Sequence, residues 1–276
     1  MPAEFDPAAL ALVRDFGRHA LLIYAIALPS LLLAVTVLWA AARRSAWSQG
    51  PGRRSAPMQL VLRLGVGFVA VLLAAWVFAE LAEGIGAGAA FDAFDEALSV
   101  AVAANLPAAA AQAFGWLTHL GDPATLTALC VAVAGVLFAR GRRRLALAWV
   151  LAVAGNALLN IALKGVFERV RPLRVHSLEQ VSGWSFPSGH SSGSVVAYGM
   201  LAYVLIRTLP ARWHLPAVLL ATALAFSIGC SRIFLQHHYA SDVAAGFASG
   251  TAWLTICIVA CEWRRHRTGA GGQRIT

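Results

Sequence analysis

Three short segments hold the residues whose types and spacing could do chemistry. The first runs from Lys164 to Arg171-Pro172. The second is Pro187-Ser188-Gly189-His190, and the third runs from Ser231-Arg232 through His238 to Asp242. Lys164, Arg171 and Arg232 supply three cations with few acids nearby in sequence, and Lys164 is the only lysine in the chain. Ser188 and Gly189 are predicted to open a helix, where unpaired backbone N–H groups and the helix dipole favour an anion. Glycine at that point lets the backbone approach a ligand closely. Together these residues suit a phosphate dianion and a transition state that spreads negative charge over its equatorial oxygens.

The two histidines divide the remaining work. His238 and Asp242 stand four apart at the start of a predicted helix, about 40° apart around its axis, so the carboxylate reaches the imidazole. A carboxylate on one ring nitrogen fixes the tautomer and leaves the other as a nucleophile. His237 is five residues from Asp242, about 140° around, and faces away. His190, beside the phosphate cradle, is placed to protonate a leaving oxygen. Taken singly, cations at span ends are usually interfacial anchors, and a lone His-x3-Asp pair is usually structural. The conjunction of all three segments reverses both readings.

The elements that must position these residues are membrane helices. The chain of 276 residues is 59% hydrophobic and only 13% charged, well below the charge of a soluble domain. Apolar runs predict an all-α polytopic bundle with seven spans near 20–41, 60–82, 124–139, 143–163, 189–208, 214–231 and 239–262. Residues 1–83 form an N-terminal segment with two extra spans and a short interfacial helix before them. Residues 84–123 form an outer-surface segment of one or two amphipathic helices, 124–263 the core, and 264–276 a cytoplasmic tail.

The net charge of +9 sits mostly in arginine clusters near 42–59, 140–142, 209–213 and 263–276, whereas 83–123 contains neither lysine nor arginine. That is a positive-inside pattern, not a nucleic-acid face. It puts the N-terminus outside, the C-terminus inside and all three chemical segments at the outer ends of spans. Cys130, Cys230, Cys257 and Cys261 lie in apolar runs, without disulfide or zinc spacing. Asp122-Pro123 reads as a helix cap, Asn156 and Asn160 as bonds between spans. His119, Glu168, Arg169, Arg174 and His176 read as solvated loop residues.

The motifs K-x6-R-P, P-S-G-H and S-R-x5-H-x3-D, as quoted above, resemble the signature of the type 2 phosphatidic acid phosphatase superfamily, which includes the vanadium haloperoxidases. The resemblance covers about residues 115–262, with every defining position in order. It implies that His238 attacks phosphorus to form a phosphohistidine, oriented by Asp242. His190 would then protonate the leaving group and activate water, while Lys164, Arg171, Arg232, Ser188 and the Gly189 amide hold the phosphoryl oxygens. It implies no metal and no cofactor. The substrate would be a membrane lipid phosphate or diphosphate, with undecaprenyl diphosphate the first expectation, cleaved at the periplasmic face of a bacterial inner membrane. Gln236-His237 and Ala240 depart slightly from common family residues, and two spans, not one, precede the third. Phosphoryl transfer to a second lipid shares the same intermediate. A soluble haloperoxidase does not fit seven spans, and a transporter or scaffold would not need both histidines. Oligomeric state is not written in the sequence.

Overall fold

The structure, a computed structural model, describes residues 7–47, 56–86, 89–172 and 183–271. Arg174 and His176 lie outside the described residues. Among the described residues ten α-helices follow one another: α1 (Pro7–Arg18), α2 (Ala20–Trp47), α3 (Ala56–Gly86), α4 (Ala89–Asn105), α5 (Ala108–Thr118), α6 (Pro123–Ala139), α7 (Arg143–Phe167), α8 (Gly189–Thr208), α9 (His214–Phe234) and α10 (Ala240–Gly271). Short 3-10 turns cover His119–Gly121 and Ala211–Trp213, and no strand occurs among the described residues.

Helices α2, α3 and α6 to α10 lie at the positions of the seven expected apolar runs. Among the described residues, five stretches are long and apolar enough to cross a membrane alone: Ala20–Arg44, Leu64–Ile85, Arg143–Phe167, Ala211–Phe234 and Ala240–Arg267. The other two depart from that pattern for visible reasons. Helix α6 has only 17 residues. Helix α8 opens on His190, Ser191, Ser192 and Ser194, and buries Val196, Ala197, Met200 and Val204 between α7, α9 and α10. A helix enclosed by other helices need not be soluble in lipid, so polar residues are tolerated there.

Small residues set how closely these helices approach. Gly246 and Gly250 lie one turn apart on α10; a Cβ at Gly246 would come within 2.6 Å of the Ser188 carbonyl oxygen, and one at Gly250 within 2.8 Å of the Ser192 oxygen. This small-xxx-small face brings the backbone of α8 onto α10. Polar cross-ties then fix the register: Trp149 Nε1 donates to the Cys130 carbonyl at 2.9 Å, and Trp253 Nε1 to the Ala152 carbonyl at 2.8 Å. Asn156 and Asn160 each reach Ser192 Oγ at 3.4 Å, which is the expected bond between spans.

The segment before the core folds as two helices. Arms Phe91–Asn105 and Ala108–Gly121 bend by 115° across Leu106-Pro107. Helix α1 lies on α4, where a Cβ on Gly17 would come within 2.4 Å of Ala101 Cβ. Because α7 and α9 end where α8 and α10 begin, the three chemical segments meet at one end of the bundle.

Candidate active site

His238 sits at the centre of that end. Helix α9 stops as Gln236 takes a left-handed backbone, φ 57. The amides of His237 and His238 then both donate to the Arg232 carbonyl, at 2.9 and 3.2 Å. Helix α10 starts at Ala240, so His238 precedes it and does not lie on its face. The expected pair with Asp242 nevertheless forms, for a different local reason. Asp242 occupies the first turn and reaches back, accepting from the Tyr239 amide at 3.0 Å and from His238 Nδ1 at 3.3 Å. An acid bonding backward to the residue before the helix is one half of a capping box.

The tautomer of His238 follows from its second nitrogen. His238 Nε2 lies 3.1 Å from Arg171 Nη1, and a guanidinium can only donate. Nε2 is therefore the lone-pair nitrogen and Nδ1 carries the proton, shared between Asp242 Oδ2 and Ser185 Oγ. The ring is 3% exposed. Burial lowers its pKa first, Asp242 opposes, and Arg171 and Arg232 push it further down, to about 3. The imidazole is thus neutral at ordinary pH, with its lone pair on Nε2.

This has a stability consequence. The folded-state pKa lies below the unfolded value of 6.5, so the unfolded chain binds the extra proton. The stabilisation is complete above pH 6.5 and is lost as pH falls toward about 3. Between pH 7 and 5 the wild type is expected to lose on the order of 2 kcal/mol that a His238→Gln variant does not lose. Parallel thermal unfolding in detergent at the two pH values would read this, and equal losses would refute it.

The cations surround this ring. Arg171 donates through Nη1 to the His237 carbonyl at 2.7 Å and through Nε to the Gly183 carbonyl at 3.0 Å. Lys164 Nζ donates to the Trp184 carbonyl, which Arg171 Nη2 also reaches at 3.3 Å. Arg232, 3% exposed, donates to Thr118 Oγ1 at 2.8 Å. Ser188 caps α8, its Oγ accepting from Ser191, while its amide donates to the Asp242 carbonyl at 2.9 Å. The amides of Gly189 and His190 lie in the first turn, where no helical carbonyl can serve them. A Cβ on Gly189 would stand 3.0 Å from Asn160 Oδ1, so the position is built for glycine.

Two partners differ from expectation. Arg169, read from sequence as a solvated loop residue, is buried. Its Nη1 donates to Asp242 Oδ1 at 2.9 Å and Ser241 Oγ at 2.7 Å; its Nη2 donates to Asp92 at 2.8 Å and Asp95 at 2.9 Å. The guanidinium also lies over the Tyr239 ring, 4.5 Å from its centroid. Burial alone would lower its pKa, but Asp242 and the bonds to Asp95 and Asp92 outweigh it and raise it. Asp122 does stand at the N-cap of α6, yet its side chain makes no cap bond. Its Oδ1 lies 2.8 Å from His190 Nε2 and its Oδ2 2.8 Å from His119 Nδ1. Glu168 and His119 are exposed as expected.

Comparison with known proteins adds a family. A family model described as the PAP2 superfamily matches residues 144–266, which contain all three motif segments. Phosphatidylglycerophosphatase B of Bacillus subtilis (strain 168) is 35% identical over 136 residues, 49% of this chain and 66% of that protein. The chain thus spans just under two thirds of the length of that curated relative. A crystal structure described as the first transmembrane PAP2 type phosphatidylglycerolphosphate phosphatase, from Bacillus subtilis, matches with a TM-score of 0.65 at 31% identity, covering 70% of this chain and 96% of that one. With the motif segments gathered at one end of the bundle and a solved relative matched over nearly its whole length, this chain belongs to the PAP2 superfamily.

Proposed function

We propose that the chain hydrolyses a membrane lipid phosphate at the outer face through a phosphohistidine on His238. The observation that carries this is the His238 ring itself, with Nδ1 held by a buried carboxylate and the Nε2 lone pair turned to Arg171. Nε2 attacks phosphorus in line as the bond to the lipid oxygen breaks. Arg171, Lys164, Arg232, Ser188 and the Gly189 amide take the phosphoryl oxygens, whose charge grows outward in the transition state. His190 gives a proton to the departing oxygen, then takes one from the water that cleaves the N–P bond. Cations already in place serve the role that a metal plays elsewhere, and no step needs one.

The substrate class follows from depth. The site lies where spans end, so a lipid can keep its chains in the bilayer and present its phosphate. The names of the two relatives favour phosphatidylglycerophosphate; undecaprenyl diphosphate fits the same depth and is the alternative. The arginine map supports a site facing the periplasm of a bacterial inner membrane.

Purified protein should release inorganic phosphate from at least one of phosphatidylglycerophosphate, phosphatidic acid and undecaprenyl diphosphate without an acceptor lipid. Vanadate should inhibit by mimicking the trigonal phosphoryl group, and EDTA should not. Release only when an acceptor lipid is added would make the protein a transferase. A cysteine at Trp116 should react with an impermeant maleimide from outside, and one at Arg140 only after permeabilisation; the reverse pattern would invert the topology.

A further inference from the structure

The general-acid histidine has an anion of its own, supplied from outside the segment that the family model matches. The turn His119–Gly121 is pinned to α8 by the Tyr198 hydroxyl, which donates to the Leu120 carbonyl at 2.8 Å. Gly121 makes the approach possible, since a Cβ there would come within 2.5 Å of Ile228 Cγ2, 3.0 Å of His190 Cδ2 and 3.1 Å of Ser194 Oγ. The next residue, Asp122, is thereby delivered to His190 at 2.8 Å. Its carboxylate has given up the helix cap to make this bond. Burial would raise its pKa, but the bonds from His119 and His190 outweigh that and keep it below the usual carboxylate range.

We infer that Asp122 is the positioning residue of the proton donor, binding His190 Nε2–H so that Nδ1 is the nitrogen that exchanges protons with substrate and water. The inference rests on the phosphohistidine reading above. A carboxylate can only accept, so the bond at 2.8 Å assigns the proton to Nε2. With a proton on Nδ1 as well, His190 is an imidazolium, and that charge is offset by a carboxylate in direct contact, 2.8 Å away. Asp122 is that anion.

The proton count then closes. As the His238 Nε2–P bond forms and the P–O bond to the lipid breaks, the Nδ1 proton of His190 moves to the lipid oxygen. Nδ1 next takes a proton from water while the hydroxide adds to phosphorus. The N–P bond breaks, phosphate leaves, and both histidines are restored. The site therefore holds two His–Asp pairs of opposite polarity. Asp242 holds Nδ1 of His238 and frees Nε2; Asp122 holds Nε2 of His190 and frees Nδ1. His119, on the second oxygen of Asp122, fixes the carboxylate from the solvent side.

The test uses leaving groups. An alkyl phosphate needs a proton on its departing oxygen, whereas p-nitrophenyl phosphate leaves without one. Full-length Asp122→Asn removes no cap bond, because the Asp122 side chain makes none, so α6 should be retained. It should lose roughly 10²-fold or more in turnover of the alkyl phosphate, the usual range for general acid catalysis. With p-nitrophenyl phosphate it should instead show a burst of p-nitrophenol equal to the enzyme present, followed by slow turnover, because only the water-activating step is impaired. Asp122→Glu should recover part of the alkyl phosphate rate. Equal losses on both substrates with no burst would overturn the assignment and make Asp122 a structural tie. If the wild type cleaves neither substrate, nor any lipid phosphate, the phosphatase reading fails first and takes this one with it.

Discussion

Replacing His238 with alanine is expected to lower phosphate release by roughly 10⁴-fold or more, the scale on which loss of a covalent nucleophile is felt. His237→Ala should keep most of the wild-type rate. The two residues are adjacent, buried and chemically identical, so only geometry separates them. His238 has its Nε2 lone pair beside Arg171 and its Nδ1 on Asp242. His237 lends its carbonyl to Arg171 Nη1 and its amide to the Arg232 carbonyl, both of which alanine retains. Steady-state phosphate release in detergent would compare the two. A pulse with radiolabelled substrate would add an independent reading: an acid-labile label should be trapped on the wild type and on His237→Ala, and not on His238→Ala. If His237→Ala were the inactive variant and His238→Ala the active one, the assignment of the nucleophile would be wrong.

The pairing of His238 with Asp242 was legible in the sequence, although its local reason was not. Spacing paired Asp242 with His238, and the two do meet, yet the structure ends α9 at Phe234 and begins α10 at Ala240, leaving His238 outside any helix. The contact arises because an acid in the first turn bonds backward, a pattern that happens to share the four-residue interval. The three motif segments were readable because each is short and its members are neighbours. The bundle was readable because bilayer thickness imposes long apolar runs.

What escaped is long-range. Arg169 meets Asp92 and Asp95 across sequence separations of 77 and 74 residues, and Asp122 meets His190 across 68. Locally, Arg169 looks like any loop cation, and Asp122-Pro123 like any helix start. One signal was present. Residues 83–123 carry five acids (Glu83, Asp92, Asp95, Glu96 and Asp122) and no lysine or arginine. In an apolar segment such acids must find donors elsewhere. Asp92 and Asp95 find Arg169, Glu96 finds the Tyr239 hydroxyl at 2.8 Å, and Asp122 finds His119 and His190.

Arg169→Met is the second substitution with a large expected effect, and it should act on stability and turnover together. The guanidinium holds two buried carboxylates, Asp95 on α4 and Asp242 on α10, whose side chains are 4% and 0% exposed. Removing it leaves both without their cation, and breaking a buried pair in this way costs about 3–5 kcal/mol. Asp92 adds little, since its side chain is 56% exposed and its pair is largely solvated. Turnover should fall further than stability alone explains. Without Arg169, Asp242 keeps Ser185, Tyr239 and His238 on Oδ2 but loses the guanidinium on Oδ1, so it is free to take up a proton and release the His238 tautomer. Arg169→Lys keeps the charge but not the planar fork that serves both carboxylates, and should fall between the two. The double variant Arg169→Met/Asp95→Asn removes one stranded charge. It should regain part of the thermal stability while recovering little activity, because Asp242 still lacks the guanidinium on Oδ1. Thermal midpoints in detergent, set beside kcat for the same preparations, would separate the two effects. A wild-type midpoint and wild-type kcat for Arg169→Met would show that α4 reaches the catalytic end without supporting it.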